Sequence, residues 1–362
     1  MAGSSRERPA DAELRRVLHA THGLSKEETA QASQAVFAYY RWFGWLDTSL
    51  KLESQIRSAT EHAANFAHAP HTYRDADLLA RTLPVWVNDA LPMTAPWLRK
   101  IQAAPKLWLR VRPGRLQAIA QVLGYSRTSA LPDALAYEGE ENLFRTPEFH
   151  AGEFEIQDIA SQAVGLVCAP RPGQTWWDAC AGEGGKLLHL SALMGGKGLI
   201  WASDRAEWRL KKHKLRTARA KCFNYRAALW DGGAKLPTKT RFDGVLLDAP
   251  CTGLGTWQRN PQARWTTTPD DVRELAAVQT QLLNHVAPSV KPGGKLVYSV
   301  CTLTRVETER VAAAFEAAHP EFAPLPTANP FHTNETPRAQ HFLWPQETGG
   351  GGMFIAAWQR AG

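Results

Sequence analysis

What this sequence has little of narrows its class first. Methionine and cysteine are scarce, four and five in 362 residues. Five cysteines at wide spacing form neither a disulfide framework nor a CxxC metal pair, so no metal site is expected. Thiols left free suit a reducing compartment, and a cytoplasmic location is expected. No stretch approaches the roughly 18 uninterrupted apolar residues of a membrane span, and none is expected. The opening "MAGSSRERPADAELRR" lacks the apolar core of a secretory signal and reads as a polar tail. Acidic residues are in deficit, 35 Asp and Glu against 42 Lys and Arg, a formal net charge of +7. That balance suits a polyanionic partner, and equally a modestly basic enzyme. Apolar residues at 44% and charged residues at 21% place the chain among globular proteins, long enough for two or three domains.

Three textures follow one another. From Ala10 to about Ala69 the pattern is helical: "AELRRVLHATHG" ends on a glycine, "SKEETAQASQAVFAYYRWFGWL" opens on a Ser with Glu two and three positions on, and "DTSLKLESQIRSATEHAANFA" follows. Val36, Tyr39, Tyr40 and Phe43 recur at three- and four-residue spacing and predict a buried face. Between Leu83 and Leu131, "LWLRVR" alternates as a half-exposed strand should, and "GRLQAIAQVLG" is a short helix closed by glycine. Arg110 and Arg112 would share one face of that strand, as a phosphate-contacting edge or a solvated edge protected by charge. From about Phe144 the rhythm becomes strand, glycine turn, helix, repeated, which predicts a mostly parallel sheet covered on both faces. The terminal "HFLWPQETGGGGMFIAAWQ" reads as an antiparallel hairpin, and its four glycines are the sole low-complexity tract. The expected division is a helical module over 1–82, a small α+β unit over 83–143 and an α/β domain over 144–362.

Carboxylates recur where the predicted strands end. "WWDACAGEGGK" puts Asp178 at a strand end and Gly182, Gly184 and Gly185 before a helix, where the backbone of Asp178, Ala179, Cys180 and Ala181 can approach a ligand closely. The glycine spacing is not that of dinucleotide binders, and a glycine turn alone is weak evidence. The next strand, "LIWASD", delivers Asp204, where a nucleotide-binding sheet places a carboxylate for ribose hydroxyls. The third leads to Asp231 in "ALWDGG", suited to accept from an exocyclic amine. One strand-end Asp is usually a helix cap; three in this order point to a ligand with hydroxyls, an amine and a cationic sulfonium, that is, S-adenosylmethionine. Arg205 to Lys221 carries eight Lys or Arg and one acid, an RNA-contacting or simply solvated helix face.

Two further apolar runs break at a cysteine: "FDGVLLDAPCTGLGTWQRNP" at Cys251 and "GGKLVYSVCTLTRVETERV" at Cys301. Adjacent strand ends would bring Asp248, Cys251 and Cys301 to the same crevice. A thiol beside a methyl donor has a chemical reason. Pyrimidine C5 is a poor nucleophile until a thiolate adds to C6. A second thiol could then assist release, while Asp248 holds the base through N3 and the exocyclic amine of cytosine. Cys168, Cys222 and Cys180 read instead as packing residues.

These residues resemble the Sun family of RNA cytosine-C5 methyltransferases, the RsmB-like enzymes, over about Lys106 to Phe354. The resemblance rests on "LWLRVR", "GEFEIQDIASQ", "DACAGEGGK", "SDRAEWRL", "DAPC" and "YSVC". It implies a Rossmann-like methyltransferase domain with a seven-stranded, mostly parallel sheet and a C-terminal antiparallel hairpin, preceded by an RRM-like unit. It further implies Cys301 as nucleophile and Cys251 in product release. Asp204, Asp231 and the glycine turn with Lys186 would bind the cofactor, Asp248 would contact the base, and Arg209 would lie behind the cofactor. Structured RNA, ribosomal or transfer, is the implied substrate, for a monomeric enzyme. "YYRWFGWLD" resembles the NusB-like module of bacterial ribosomal members. Two positions depart from the family pattern: Glu183 stands where proline is usual, and "GGMF" replaces an Asp-Gly-Phe-Phe run. The rival readings are an RNA-binding assembly factor that has lost the chemistry, and a DNA cytosine methyltransferase using Cys251.

Overall fold

The computed structural model describes residues 4–5 and 8–362. The polar tail therefore lies partly outside the described residues. Helices Ala10–Ala20, Lys26–Trp42 and Leu52–His68 form the core of the N-terminal part. The first ends at Ala20, three residues before the predicted glycine, with Thr21 as its cap. The second starts as expected. Ser25 Oγ accepts from the Glu28 amide at 3.1 Å and Glu28 Oε2 from the Ser25 amide at 2.8 Å, a reciprocal cap. Its inward stripe is offset from the predicted face: Ala38 and Trp42 are buried with Tyr40, whereas Val36, Tyr39 and Phe43 are half-buried. The indole of Trp42 wins the central place because it packs against His62, Phe66 and Tyr73 together.

This helical part sits on the loop that follows Cys251. Arg264, fully buried, donates to Gln102 Oε1 at 2.6 Å and to the carbonyls of Ile101 at 2.5 Å and Trp257 at 3.2 Å. Arg41 reaches the Gln258 carbonyl at 2.9 Å. A buried guanidinium is tolerated because carbonyl and amide oxygens meet its donors.

Strands β1 (Leu107–Val111), β2 (Ser126–Thr128), β3 (Ala134–Tyr137) and β4 (Phe154–Ile156) make an antiparallel sheet in the order β2-β3-β1-β4. It extends past position 143 to take in β4. The half-exposed edge expected of "LWLRVR" is not found: β1 is an interior strand, buried from Trp108 to Val111, and Arg112 lies beyond its end. Arg110 points inward, where its guanidinium donates to the Gln157 side chain and to the Gly185 carbonyl at 2.9 Å. An alternating pattern marks two faces, but both can be covered.

The large sheet contains β5 (Thr175–Asp178), β6 (Leu199–Asp204), β7 (Tyr225–Leu229), β8 (Phe242–Asp248), β9 (Val290–Val300), β10 (Phe322–Pro324), β11 (Gln340–Leu343) and β12 (Met353–Arg360). Its order is β7-β6-β5-β8-β9-β12-β10, with β11 also paired to β12. The first five in that order are parallel, and β12 runs antiparallel to β9. There are eight strands rather than seven, because the outer edge of β12 is shared. β11 covers Met353 to Ala356, and β10 covers Trp358 to Arg360. The expected hairpin is the β11–β12 pair. The order reverses at β5, so a crevice opens at the carboxyl ends there.

Successive tryptophans in β5 explain its continuous apolar text. Trp176 enters the cluster that holds helices Ile159–Cys168 and Gly185–Leu193, and Trp177 enters the opposite one with Phe242 and helix Pro269–Val286. Gly244 of β8 must be glycine, since a Cβ would lie 2.3 Å from the Trp176 ring.

Candidate active site

The crevice is a cavity of about 500 Å³. Asp178, Ala179, Cys180, Ala181, Gly182, Gly185, Lys186, Asp204, Arg209, Asp231, Asp248, Cys251 and Cys301 all line it. Gly184 does not. Its φ of +88° caps helix Gly185–Leu193, and a Cβ there would lie 2.8 Å from His213. This glycine shapes the turn without facing the ligand side.

Each carboxylate is held differently. Asp204 Oδ2 accepts from the Gly182 amide at 3.0 Å and Oδ1 from the Ala206 amide at 2.8 Å, so the second strand end braces the glycine turn. Arg209 lies 3.6 Å from it. Asp231, on the exposed side of the crevice, accepts from the Gly233 amide at 2.8 Å. Asp178 is buried, and neither oxygen has a hydrogen bond of good geometry among the described residues, although the Leu187 amide offsets part of the cost of its charge. Burial, reinforced by the nearby carboxylate of Asp248, pushes its acid up to about 7. A buried carboxyl without a well-formed hydrogen bond at a cavity wall marks a place where a ligand donor is wanted.

Asp248 ends β8, with Lys186 Nζ 2.6 Å from Oδ2 and the Ser299 hydroxyl donating to Oδ1 at 2.7 Å. Burial works against the Lys186 ammonium, but the charge and hydrogen bond of Asp248 outweigh it and hold the lysine above its ordinary value. Asp248 pairs with Ser299 in the sheet register, which brings the residues just beyond both strands together. The sulfurs of Cys251 and Cys301 are 3.4 Å apart, a separation across fifty positions of chain. The contact with Cys251 lowers Cys301 below an ordinary thiol against the opposing effects of burial and Asp248; Lys186 and Arg259 assist. Cys251 moves the other way, raised by that contact, by burial and by the negative charges of Cys301 and Glu307.

The remaining thiols behave as expected where they are buried: Cys168 and Cys222 lie in the core on the Trp176 side of the sheet. Cys180 is half-buried and lines the cavity. Glu183, at the departure from the family's proline, lines the cavity and forms an ion pair with Lys212 at 2.8 Å. The four-glycine tract is a packed strap. The Gly351 amide meets both oxygens of Asp158 at 3.1 and 3.0 Å, and the Gly352 amide donates to the Gly255 carbonyl at 2.7 Å. The Gly255 amide in turn donates to the Cys301 carbonyl at 3.0 Å. Gln157, Ser161 and Arg216 also line the cavity and were not singled out beforehand. Gln157 and Ser161 stood in the quoted "GEFEIQDIASQ", whose strand-end polar cluster was the signal.

A parallel sheet whose order reverses above strand-end carboxylates, beside two facing thiols, defines a Rossmann-like protein of the methyltransferase type. A family model for the 16S rRNA methyltransferase RsmB/F matches residues 165–359, and the chain belongs to that family. It is 37% identical over 209 residues to ribosomal RNA small subunit methyltransferase B of Thermus thermophilus, covering 57% of this chain and 49% of that one. A crystal structure of a methyltransferase homolog protein from Pyrococcus horikoshii superposes with a TM-score of 0.60 at 26% identity, over 74% of this chain and 90% of that one. The crystal structure of PH0851 shares the fold with a TM-score of 0.74 at 24% identity, over 97% of this chain and 87% of that one. The chain spans 40 to 60% of the length of the first curated relatives it matches. No helix among the described residues is long and apolar enough to cross a membrane.

Proposed function

We propose that this chain methylates C5 of a cytosine in structured RNA, taking the methyl group from S-adenosylmethionine, with small-subunit ribosomal RNA as the substrate class its family points to. The observation that carries this reading is the 3.4 Å sulfur–sulfur approach inside the cavity that also holds Asp178, Asp204 and Asp231. The residues present fit the cofactor. Asp204 and Asp231 suit ribose hydroxyls and an amine, the turn at Gly182 and Gly185 lets the ligand approach the backbone, and the buried Asp178 faces the same space. The cofactor supplies an electrophilic methyl carbon on a sulfonium, whose positive charge suits a cavity rich in carboxylates.

The chain's own residues do the rest. The Cys301 thiolate adds to C6 of the pyrimidine, forming a C–S bond and moving electron density to C5. Asp248 faces the same space and suits the N3 and amine edge of cytosine. Once C5 is methylated, loss of its proton to a base re-forms the C5–C6 double bond as the C–S bond breaks, which frees the Cys301 thiolate. Cys251, in contact with that sulfur, aids release. The target base has to leave its stack to reach this depth. The exposed basic helix Glu207–Arg219, with Trp208 at the surface, suits neighbouring phosphates and bases.

The charges around the pair favour Cys301 over Cys251 as nucleophile, against the DNA-methyltransferase assignment: Lys186 and Arg259 lie near Cys301, whereas Glu307 lies near Cys251. The test is transfer of tritiated methyl groups to purified small-subunit RNA, followed by nucleoside analysis. Label in 5-methylcytidine is expected. Label found in duplex DNA instead, or no transfer although the cofactor binds, would contradict the reading.

A further inference from the structure

Behind the two thiols lies a carboxylate that the reaction outlined above does not use. Glu307 is fully buried. Its side chain accepts five hydrogen bonds, all from neutral donors. Oε1 takes the Thr252 amide at 2.8 Å and Gln279 Nε2 at 3.2 Å, and Oε2 takes the hydroxyls of Thr252, Thr304 and Thr302 at 2.6, 2.9 and 3.1 Å. Thr252 follows Cys251 and Thr302 follows Cys301, so one carboxylate grips both loops at the residue next to each thiol. Gln279 also donates to the Pro250 carbonyl at 2.9 Å, just before Cys251, and the Tyr298 hydroxyl donates to the Glu307 carbonyl at 2.7 Å. Burying a charge without a cation is costly unless its acceptor sites are filled. Here they are filled by the two loops that must stay in register.

We propose that Glu307 is a positioning residue that locks the Cys251 and Cys301 loops against each other, and so decides which sulfur attacks and which waits beside it for release. This rests on the reading of the two thiols as a methyl-transfer pair. The negative charge of this carboxylate opposes ionisation of the Cys251 thiol. Every donor it receives is a neutral group held by one of the two loops or by helix Pro269–Val286, so removal of the charge need not remove the shape. The three hydroxyls can turn to accept from an amide.

The test compares wild type with Glu307→Gln, following iodoacetamide alkylation of each thiol against pH by mass spectrometry, and covalent enzyme–RNA adduct with ordinary small-subunit RNA. In Glu307→Gln the alkylation profile of Cys251 is expected to move down by roughly half a pH unit or more. Adduct is expected to accumulate about 10-fold over wild type because release is impaired. An unchanged profile and unchanged adduct in a protein that melts as wild type would overturn the proposal. If Glu307→Gln melts far below wild type, Thr252→Val replaces it. That variant removes the Thr252 hydroxyl bond at 2.6 Å, leaves the amide bond and keeps the charge, so the loosened tether should let adduct accumulate with the Cys251 profile unmoved; no accumulation overturns the proposal. A shifted profile with no adduct in any protein, wild type on 5-azacytidine-containing RNA included, would retain Glu307 as the lock of the thiol pair and refute RNA methylation itself.

Discussion

Lys186 Nζ lies 2.6 Å from Asp248 Oδ2, and the pair stands beside Cys301 with opposite effects on it. The ammonium favours the Cys301 thiolate and the carboxylate disfavours it. Replacing Lys186 by Met should therefore move the pH profile of Cys301 alkylation upward, and Asp248→Asn should move it downward. Shifts of about one pH unit or less are expected for charges at this range in a partly open cavity. Shifts in the same direction for both variants would refute this electrostatic account.

Asp178 supplies a second pH signature. Its folded acid lies near 7, far above an ordinary aspartate, so the proton-bound form stabilises the fold fully at low pH. That contribution is lost as pH rises from the ordinary aspartate range to about 7, because the unfolded chain ionises there while the buried carboxyl still holds its proton. Asp178→Asn stays neutral throughout. Without cofactor, the stability of Asp178→Asn relative to wild type should grow by roughly 2–3 kcal/mol from pH 5 to pH 8, followed by urea unfolding at both values. A pH-independent difference would contradict the assignment.

The strap of glycines makes a prediction about packing. A Cβ on Gly255 would lie 2.2 Å from the Gly352 carbonyl oxygen, a backbone atom that cannot swing aside. Gly255→Ala should cost about 1–3 kcal/mol and displace the loop that donates to the Cys301 carbonyl. Thermal unfolding with alkylation of Cys301 at fixed pH checks both parts, and a variant unchanged in both would contradict the close packing of the strap on Gly255.

The cofactor side is tested by Asp204. It braces Gly182 and Ala206 through its carboxylate, and as a ribose acceptor it would lose a charge-assisted bond on conversion to Asn. Calorimetry with S-adenosylmethionine should show binding weakened roughly 10- to 100-fold. Equal affinity would remove Asp204 from the site.

How much of this was legible beforehand depends on range along the chain. Strand-end aspartates, the glycine turn and the two cysteine motifs could be read because each is a short local pattern, and parallel strands bring such patterns to one edge. The tightness of the thiol pair, the grip of Glu307 and the strap under Gly255 could not, since they join residues dozens to nearly a hundred positions apart. Arg110 is the clearest case. Its alternating strand suggested an outward charge, yet it reaches Gly185, seventy-five residues later, beneath the glycine turn. Glu307 stands inside the quoted "GGKLVYSVCTLTRVETERV" with no mark of its role, because nothing local distinguishes a buried carboxylate from a solvated one. Glu183 differed from the family's usual proline in plain view; its ion pair with Lys212 needed the fold.

The most direct test of the account is covalent trapping on RNA containing 5-azacytidine, with the attachment site mapped by mass spectrometry. Wild type should form an adduct through Cys301, Cys301→Ala should form none, and Cys251→Ala should accumulate adduct even with ordinary RNA. An adduct that persists in Cys301→Ala, or that maps to Cys251, would contradict it.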